Sequence, residues 1–374
     1  MLSLLSLPLF QQDHLVPAEA LTPIAAALFP RPQRRLSWYA TAHNMGGWAM
    51  RRRLWRWVGI GAGFVGALVV PRWLPRPRVH GTIPPEQLAL PESRWVDVGS
   101  GLRLHTVVLG QGDPTLVWFH GFGASVRLDL PFLTRLARRH RVIAFDRPGF
   151  GLTPRPTVPW HGQDPYAPVV QPAIAAAVLE RFEVTHAVLI GHSAGGPIAL
   201  ATAQRDPARV RGLVLIAPAF EALAMPGVIG WLLAVPLVDW LGPLLLRLFP
   251  RLLERPEALR GLWAKPDAAP PHFLEETRLG FTVADWDVGL WRVTKATLWA
   301  PLPVAFSLPP TLPVAVLVSD YDRVVPPHQV AAAVRQLGPH VRLTTLPGCG
   351  HIPQLECPDA TEDAINAFLA TLTP

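Results

Sequence analysis

Residues 188–196 read VLIGHSAGG: an apolar run that passes into Gly191-His192-Ser193-Ala194-Gly195, with a further glycine behind it. The run predicts a buried strand, and the small residues predict a sharp turn into a helix. A serine held on such a turn projects its hydroxyl clear of the strand, where a base and a substrate carbonyl can both reach it. The turn crowds its neighbours, so glycine is needed at 191 and 195, and Gly196 lets the following helix pack closely.

Working outward, the chain from residue 95 alternates short apolar runs with helical patterns, as a mostly parallel sheet flanked by helices requires. Strands are expected at 95–98, 102–109, 115–119, 141–145, 186–190, 212–216, 313–318 and 341–346. Helices are expected at 126–138, 169–182, 194–204, 327–337 and 360–372. Between the sixth and seventh strands, residues 219–308 are too many for a connection and predict an inserted cap, rich in Leu, Pro and Trp. Its segment 223–246 carries one charge, Asp239, but Pro226, Pro236 and Pro243 break it, so a pair of cap helices is favoured over a membrane span.

The net charge of +7 is unevenly placed. Residues 1–80 hold ten Arg against Asp13 and Glu19, whereas the rest of the chain sits near −1, which gives nucleic-acid binding no support. Residues 50–79 set Arg51, Arg52, Arg53 and Arg56 before an apolar run, with Pro71 and Arg72 behind it. The 15 uncharged residues between Arg56 and Arg72 fall short of the roughly 20 that span a bilayer. With no small-residue cleavage site after them, they predict an uncleaved signal anchor, or membrane association through residues 54–74, with an exported catalytic domain. The alternative is an amphipathic or core helix on a cytoplasmic protein. Gly59, Gly63 and Ala67 offer a helix-association face. Residues 1–49 show little periodicity and are expected not to fold, and translation starting at Met45 or Met50 is one hypothesis. The two cysteines, Cys349 and Cys357, make no disulfide framework and are expected as packing residues.

Four further stretches join the serine turn. They are His120-Gly121-Phe122-Gly123, FDRPGFG at 145–151, PVAVLVSDYDRVVPP at 313–327, and Gly348-Cys349-Gly350-His351-Ile352-Pro353. In this order, from about residue 95 to 374, the chain resembles a capped α/β-hydrolase. The resemblance implies an eight-stranded, mostly parallel α/β sheet with the core at 80–218 and 309–374 and the cap at 219–308. It implies Ser193 as nucleophile, His351 as base and Asp322 as the acid that orients it, with Asp320 a competitor two residues earlier. It also implies an oxyanion hole from the N–H groups of Phe122 and Ala194, around an elbow of Gly191, His192 and Gly195. His192 is expected to pack or hydrogen-bond, and Asp146 and Arg147 to pair or cap a turn. Ser319 stands where many relatives have Gly.

Serine at 193 excludes relatives whose nucleophile is a carboxylate, and no dinucleotide or P-loop fingerprint occurs. The expected activity is hydrolysis of a hydrophobic, lipid-like carboxylic ester, with no cofactor and no metal. Carbon–carbon hydrolysis, perhydrolysis and acyl transfer use the same residues, and a non-catalytic binding or membrane-tethered interaction protein is the alternative outside enzymes.

Overall fold

The computed structural model describes residues 46–69, 73–77, 79–221, 233, 235–248, 250, 261–265, 267, 269–299, 302–303 and 308–372. The expected disorder of 1–49 falls outside the described residues except at 46–49, which open a helix. The chain divides into two compact units, one up to Phe64 and one from Val65. Helix α1, Gly46–Val69, begins in the first and reaches past its boundary. Among the described residues no helix is long and apolar enough to cross a membrane.

The second unit is built on one sheet of β1 (Ser93–Asp97), β2 (Arg103–Leu109), β3 (Thr115–Phe119), β4 (Val142–Phe145), β5 (Ala187–His192), β6 (Val210–Ile216), β7 (Val314–Ser319) and β8 (Val341–Leu346). Their order across the sheet is β1-β2-β4-β3-β5-β6-β7-β8. β1 and β2 are antiparallel to each other, as are β2 and β4, and every other pair is parallel. Because the chain steps from β3 out to β4 and returns to β5 on the other side, the turns after β3 and β5 diverge from neighbouring strands and open a crevice at their carboxyl ends.

Helices cover both faces, which is why β5 and β7 are buried along their whole length and read as unbroken apolar runs. Alternate residues serve opposite layers. Leu116 and Trp118 pack with Phe132, Leu133 and Leu136 of α2 (Val126–Leu136) and with Ile365 and Phe368 of the last helix. Val117 and Phe119 belong to the opposite layer, with Ile174 and Val178 of α3 (Gln171–Arg181) and Ile198 of α4 (Gly195–Arg205). The cap contributes α5 (Pro236–Leu246), α6 (Pro271–Gly280) and α7 (Trp286–Trp299), while 222–232 of the expected helix pair lie outside the described residues. After β7 come α8 (Pro327–Leu337), the one-turn α9 (Pro353–Glu356) and α10 (Pro358–Leu369).

Several sequence expectations shift by one to three residues at element ends, β5 and α10 among them. β5 runs two residues further, to His192, because Gly191 and His192 continue pairing with Leu215 and Ile216. α10 starts at Pro358, where a missing N–H costs nothing in the first turn.

The cysteines require a correction. Cys349 and Cys357 form a disulfide with a Cα–Cα distance of 6.1 Å. The short helix α9 turns the chain back on itself, which the eight-residue spacing alone does not reveal. Closing so short a loop is worth about 2–3 kcal/mol. Cys357→Ala is therefore expected to lower unfolding stability by about 2 kcal/mol. Urea denaturation with and without reductant checks this, since reductant should bring the parent down to the level of the variant and leave the variant unmoved.

Candidate active site

At the end of β5 the backbone turns so sharply that Ser193 adopts φ 50°, a conformation uncommon for any residue but glycine. Three backbone bonds hold it there: Ser193 N–H to Ile216 O (2.9 Å), and Gly196 N–H (2.9 Å) and Ala219 N–H (3.1 Å) to Ser193 O. A Cβ at Gly195 would lie 2.1 Å from Phe119 O, and one at Gly191 would lie 2.6 Å from Gly195 O. The small residues around the serine are therefore steric requirements of this turn.

His351 lies on the disulfide-closed loop after β8. Its Nε2 is 2.9 Å from Ser193 Oγ, and its Nδ1 is 2.8 Å from Asp322 Oδ2. A carboxylate can only accept, so Nδ1 carries the proton and Nε2 is left to accept from the serine hydroxyl. The other oxygen of Asp322 accepts from Val324 N–H (2.9 Å) and Val325 N–H (2.8 Å), which fixes the carboxylate from behind. All three side chains are buried. Asp320 instead accepts from Gly348 N–H at 2.8 Å and is exposed, so of the two carboxylates it is Asp322 that meets His351. Ser319 closes β7, and its carbonyl receives Asp322 N–H at 3.3 Å.

His192 is not part of this line. It is buried, and burial, then the neighbouring His351, push it down to about 3, so it is neutral. Its Nε2 donates to His351 O at 2.8 Å, while His351 N–H donates to Leu262 O of the cap at 2.7 Å, and together these pin the loop. The N–H groups of Phe122 and Ala194 donate to no backbone carbonyl among the described residues. Ala194 caps α4, so its N–H also carries the positive end of that helix.

The line opens on a cavity of about 280 Å³, at the small end of ordinary ligand pockets. Its walls are mostly apolar, with Phe150 and Leu128 from the core and Phe273, Trp286 and Leu290 from the cap. Among the described residues no group of three or more His, Cys, Asp or Glu is placed to hold a metal ion.

Two polar features escaped the sequence reading. The first is a second Ser–His–Asp line, with Ser93 Oγ 2.7 Å from His105 Nε2 and His105 Nδ1 2.7 Å from Asp146 Oδ2. His105 and Asp146 are wholly buried and none of the three lines the cavity, so this line has no substrate to meet. Asp146 also accepts from Val126 N–H and Leu152 N–H, both at 2.7 Å. Burial opposes its ionisation, but His105, His120 and the Val126 N–H outweigh it and hold the carboxyl at about 2. It caps the start of α2 and ties the turn after β4. That Asp146 pairs and caps a turn is as the sequence predicts; its partners Ser93 and His105 had no signal beyond a histidine inside a strand.

The second is Asp129, which lines the cavity and accepts from Trp118 Nε1 (2.8 Å) and Gln354 Nε2 (3.2 Å). Burial dominates those hydrogen bonds and pushes it up to about 6. With a folded pKa above the unfolded value of about 4, the group's contribution to stability is full below about pH 4 and is lost as pH rises through 6. Asparagine would keep an acceptor for Trp118 and offer a donor to Gln354 Oε1, which is buried without a partner. Asp129→Asn is thus expected to be more stable than the parent by about 2 kcal/mol at pH 8, with the difference vanishing near pH 4. Urea melts across that range measure it.

Residues 114–358 match the model of the alpha/beta hydrolase fold family, and the chain belongs to that family. It is 39% identical to the 2-hydroxymuconate semialdehyde hydrolase of Pseudomonas sp. (strain CF600) over 128 residues, 33% of this chain and 42% of that protein. It is 27% identical to the pimeloyl-[acyl-carrier protein] methyl ester esterase of Xanthomonas axonopodis pv. citri (strain 306), over 72% of this chain and all of that one. The first of these matches thus spans less than half the length of the curated relative. Among solved structures, a bacterial membrane phospholipase A described as a virulence factor superposes with a TM-score of 0.56 at 25% identity, covering 86% of this chain and 99% of that one. The chain has the fold of this family.

Proposed function

We propose that the protein is a serine hydrolase that cleaves carboxylic esters carrying a hydrophobic acyl group. The observation that carries this reading is the hydrogen-bonded line Ser193–His351–Asp322 opening on an apolar cavity. Ser193 Oγ attacks the carbonyl carbon as its proton passes to His351 Nε2, and the new oxyanion is received by the N–H groups of Phe122 and Ala194. His351 then protonates the departing alcohol. Water, activated by the same imidazole, attacks the acyl-enzyme and releases the acid. Every group in this cycle belongs to the chain, so no cofactor is required.

A lipid-like substrate fits the exposed apolar surface. Leu237, Leu241, Leu245 and Leu248 recur along α5 and just past it, all exposed, as are Trp73 and Leu74. Trp240 Nε1 donates to Leu74 O, so the two patches adjoin. In α1, Leu54, Trp55, Trp57, Val58 and Ile60 are exposed beside the arginines of 52–56. Such surfaces favour an anionic bilayer, with the exported placement expected from the arginines ahead of the apolar run. The similarity to a membrane phospholipase A over most of both chains supports this reading.

A second reading, hydrolysis of a carbon–carbon bond in a dienoate diketone, draws on the likeness to the 2-hydroxymuconate semialdehyde hydrolase and uses the same residues. The test is turnover by residues 1–374 in detergent micelles, on p-nitrophenyl esters of two to sixteen acyl carbons and on a ring-cleavage dienoate. A rate peaking at intermediate or long acyl chains supports the ester reading, and the chain length at the peak reports the cavity depth. Turnover of the dienoate alone would replace it with carbon–carbon hydrolysis, and an inert protein would leave a binding or interaction role.

A further inference from the structure

We infer that Arg147, with His120, is a positioning residue for the oxyanion hole: the two clamp the carbonyl of Gly121 and so aim the N–H of Phe122 at the developing negative charge. The inference rests on the serine hydrolase reading.

A trans peptide unit is planar, with its C=O and N–H pointing in opposite directions. Gly121 O and Phe122 N–H belong to one such unit, and the cis bond found among the described residues lies elsewhere, at Asp113-Pro114. Whatever fixes the oxygen therefore fixes the N–H. Gly121 O receives Arg147 Nη2 at 3.1 Å and His120 Nδ1 at 2.7 Å, both buried. The tautomer of His120 follows from its other nitrogen. Nε2 accepts from Arg147 N–H at 3.0 Å, so the ring proton is on Nδ1 and donates to Gly121 O. Burial, then the charge of Arg147, pushes His120 down to about 3 and keeps it neutral. This peptide stands against the nucleophile, since a Cβ at Gly121 would lie 3.3 Å from Ser193 Cβ.

The cost of placing Arg147 here argues for a role beyond stability. It is 4% exposed, and among the described residues no carboxylate lies within ion-pair distance. Its Nε is buried with no hydrogen-bond partner. What the guanidinium does have is Gly121 O and the face of Phe150, 4.9 Å from the ring centroid, and Phe150 in turn packs edge-on against Phe122 at 5.3 Å. A buried cation is expensive. Here it is directed at the oxyanion turn from both sides, through the peptide and through the aromatic pair, and its charge lies on the side that stabilises an anion.

The experiment compares Arg147→Met and Arg147→Lys with the parent, using residues 1–374 in detergent. It reads kcat and KM on the best p-nitrophenyl ester, and the affinity of an alkyl boronic acid, which forms a tetrahedral anion on the serine. Losing an aligned oxyanion donor costs about 10²-fold. Arg147→Met is expected to lower kcat by about 10²-fold with KM within twofold, and to weaken the boronic acid by a similar factor. Arg147→Lys, which keeps the charge, is expected to recover part of both. A residue that only supported the fold would lower the melting temperature without separating ground state from tetrahedral adduct. Should Arg147→Met not fold, Arg147→Lys decides, with a kcat loss of about tenfold expected and an unchanged kcat overturning the clamp. Unchanged kcat in Arg147→Met, or a loss confined to KM, also overturns it. A parent that neither turns over esters nor binds the boronic acid removes the serine hydrolase reading and the clamp with it, whereas an active parent with an unaffected variant removes the clamp alone.

Discussion

Ser193→Ala is expected to abolish ester turnover, with a loss of about 10⁴–10⁶-fold in kcat, while leaving the fold in place. The size follows from the geometry. Without Oγ, His351 Nε2 has nothing to deprotonate, and any residual rate comes from water in a site that still offers two oxyanion donors. The three backbone bonds that hold residue 193 use its N–H and carbonyl, so they survive the substitution. Alanine retains the φ of 50° and its strain, and stability should stay within about 0.5 kcal/mol of the parent. Ser193→Gly is expected to be equally inactive and more stable by about 1 kcal/mol, because glycine adopts that conformation without penalty. Turnover and labelling by a fluorophosphonate, with urea melts of all three proteins, test both halves. A Ser193→Ala protein that keeps its rate would remove the residue from the chemistry, and a glycine variant less stable than the parent would show that the turn is not strained.

That the serine turn could be read in sequence while other parts of the site could not has a physical basis. β5 is covered on both faces, so burial is written into consecutive residues, and the steric demands of the turn fall on Gly191 and Gly195 within the same nine-residue window. Where a property depends on residues distant in the chain, no local signal exists. The disulfide depends on α9 folding Cys357 back to Cys349. The raised pKa of Asp129 comes from burial and from Trp118 and Gln354, 11 and 225 residues away. Arg147 sits inside a stretch easily read as a turn, and its contact with Gly121 O is a product of β3 and β4 lying side by side. The cap is the extreme case: its helices carry mixed patterns because they face a cavity on one side and solvent on the other. One of its contributions to the site, the Leu262 carbonyl that holds His351, is a backbone atom that no residue type announces.

The resemblance assigns the acid to Asp322, but Asp320, two residues earlier after β7, competes for the role because both lie where the family places its acid. The structure separates them by their partners, and the separation yields the second large effect. In Asp322→Asn, the amide oxygen would stay with the Val324 and Val325 N–H groups, so the amide NH₂ would face His351 Nδ1. Two donors cannot share a hydrogen bond, so the imidazole must move its proton to Nε2 and lose the lone pair that takes the proton of Ser193. A fall in kcat of about 10⁴-fold is expected, with KM little changed, because the tautomer matters to proton transfer and not to substrate binding. Asp320→Asn keeps an oxygen for Gly348 N–H and touches nothing in the line, so its kcat should stay within about threefold of the parent. Steady-state kinetics on one ester, with both variants and the parent, suffice. A large loss in Asp320→Asn with Asp322→Asn active would transfer the orienting role to the exposed carboxylate and require the loop around His351 to rearrange when substrate binds.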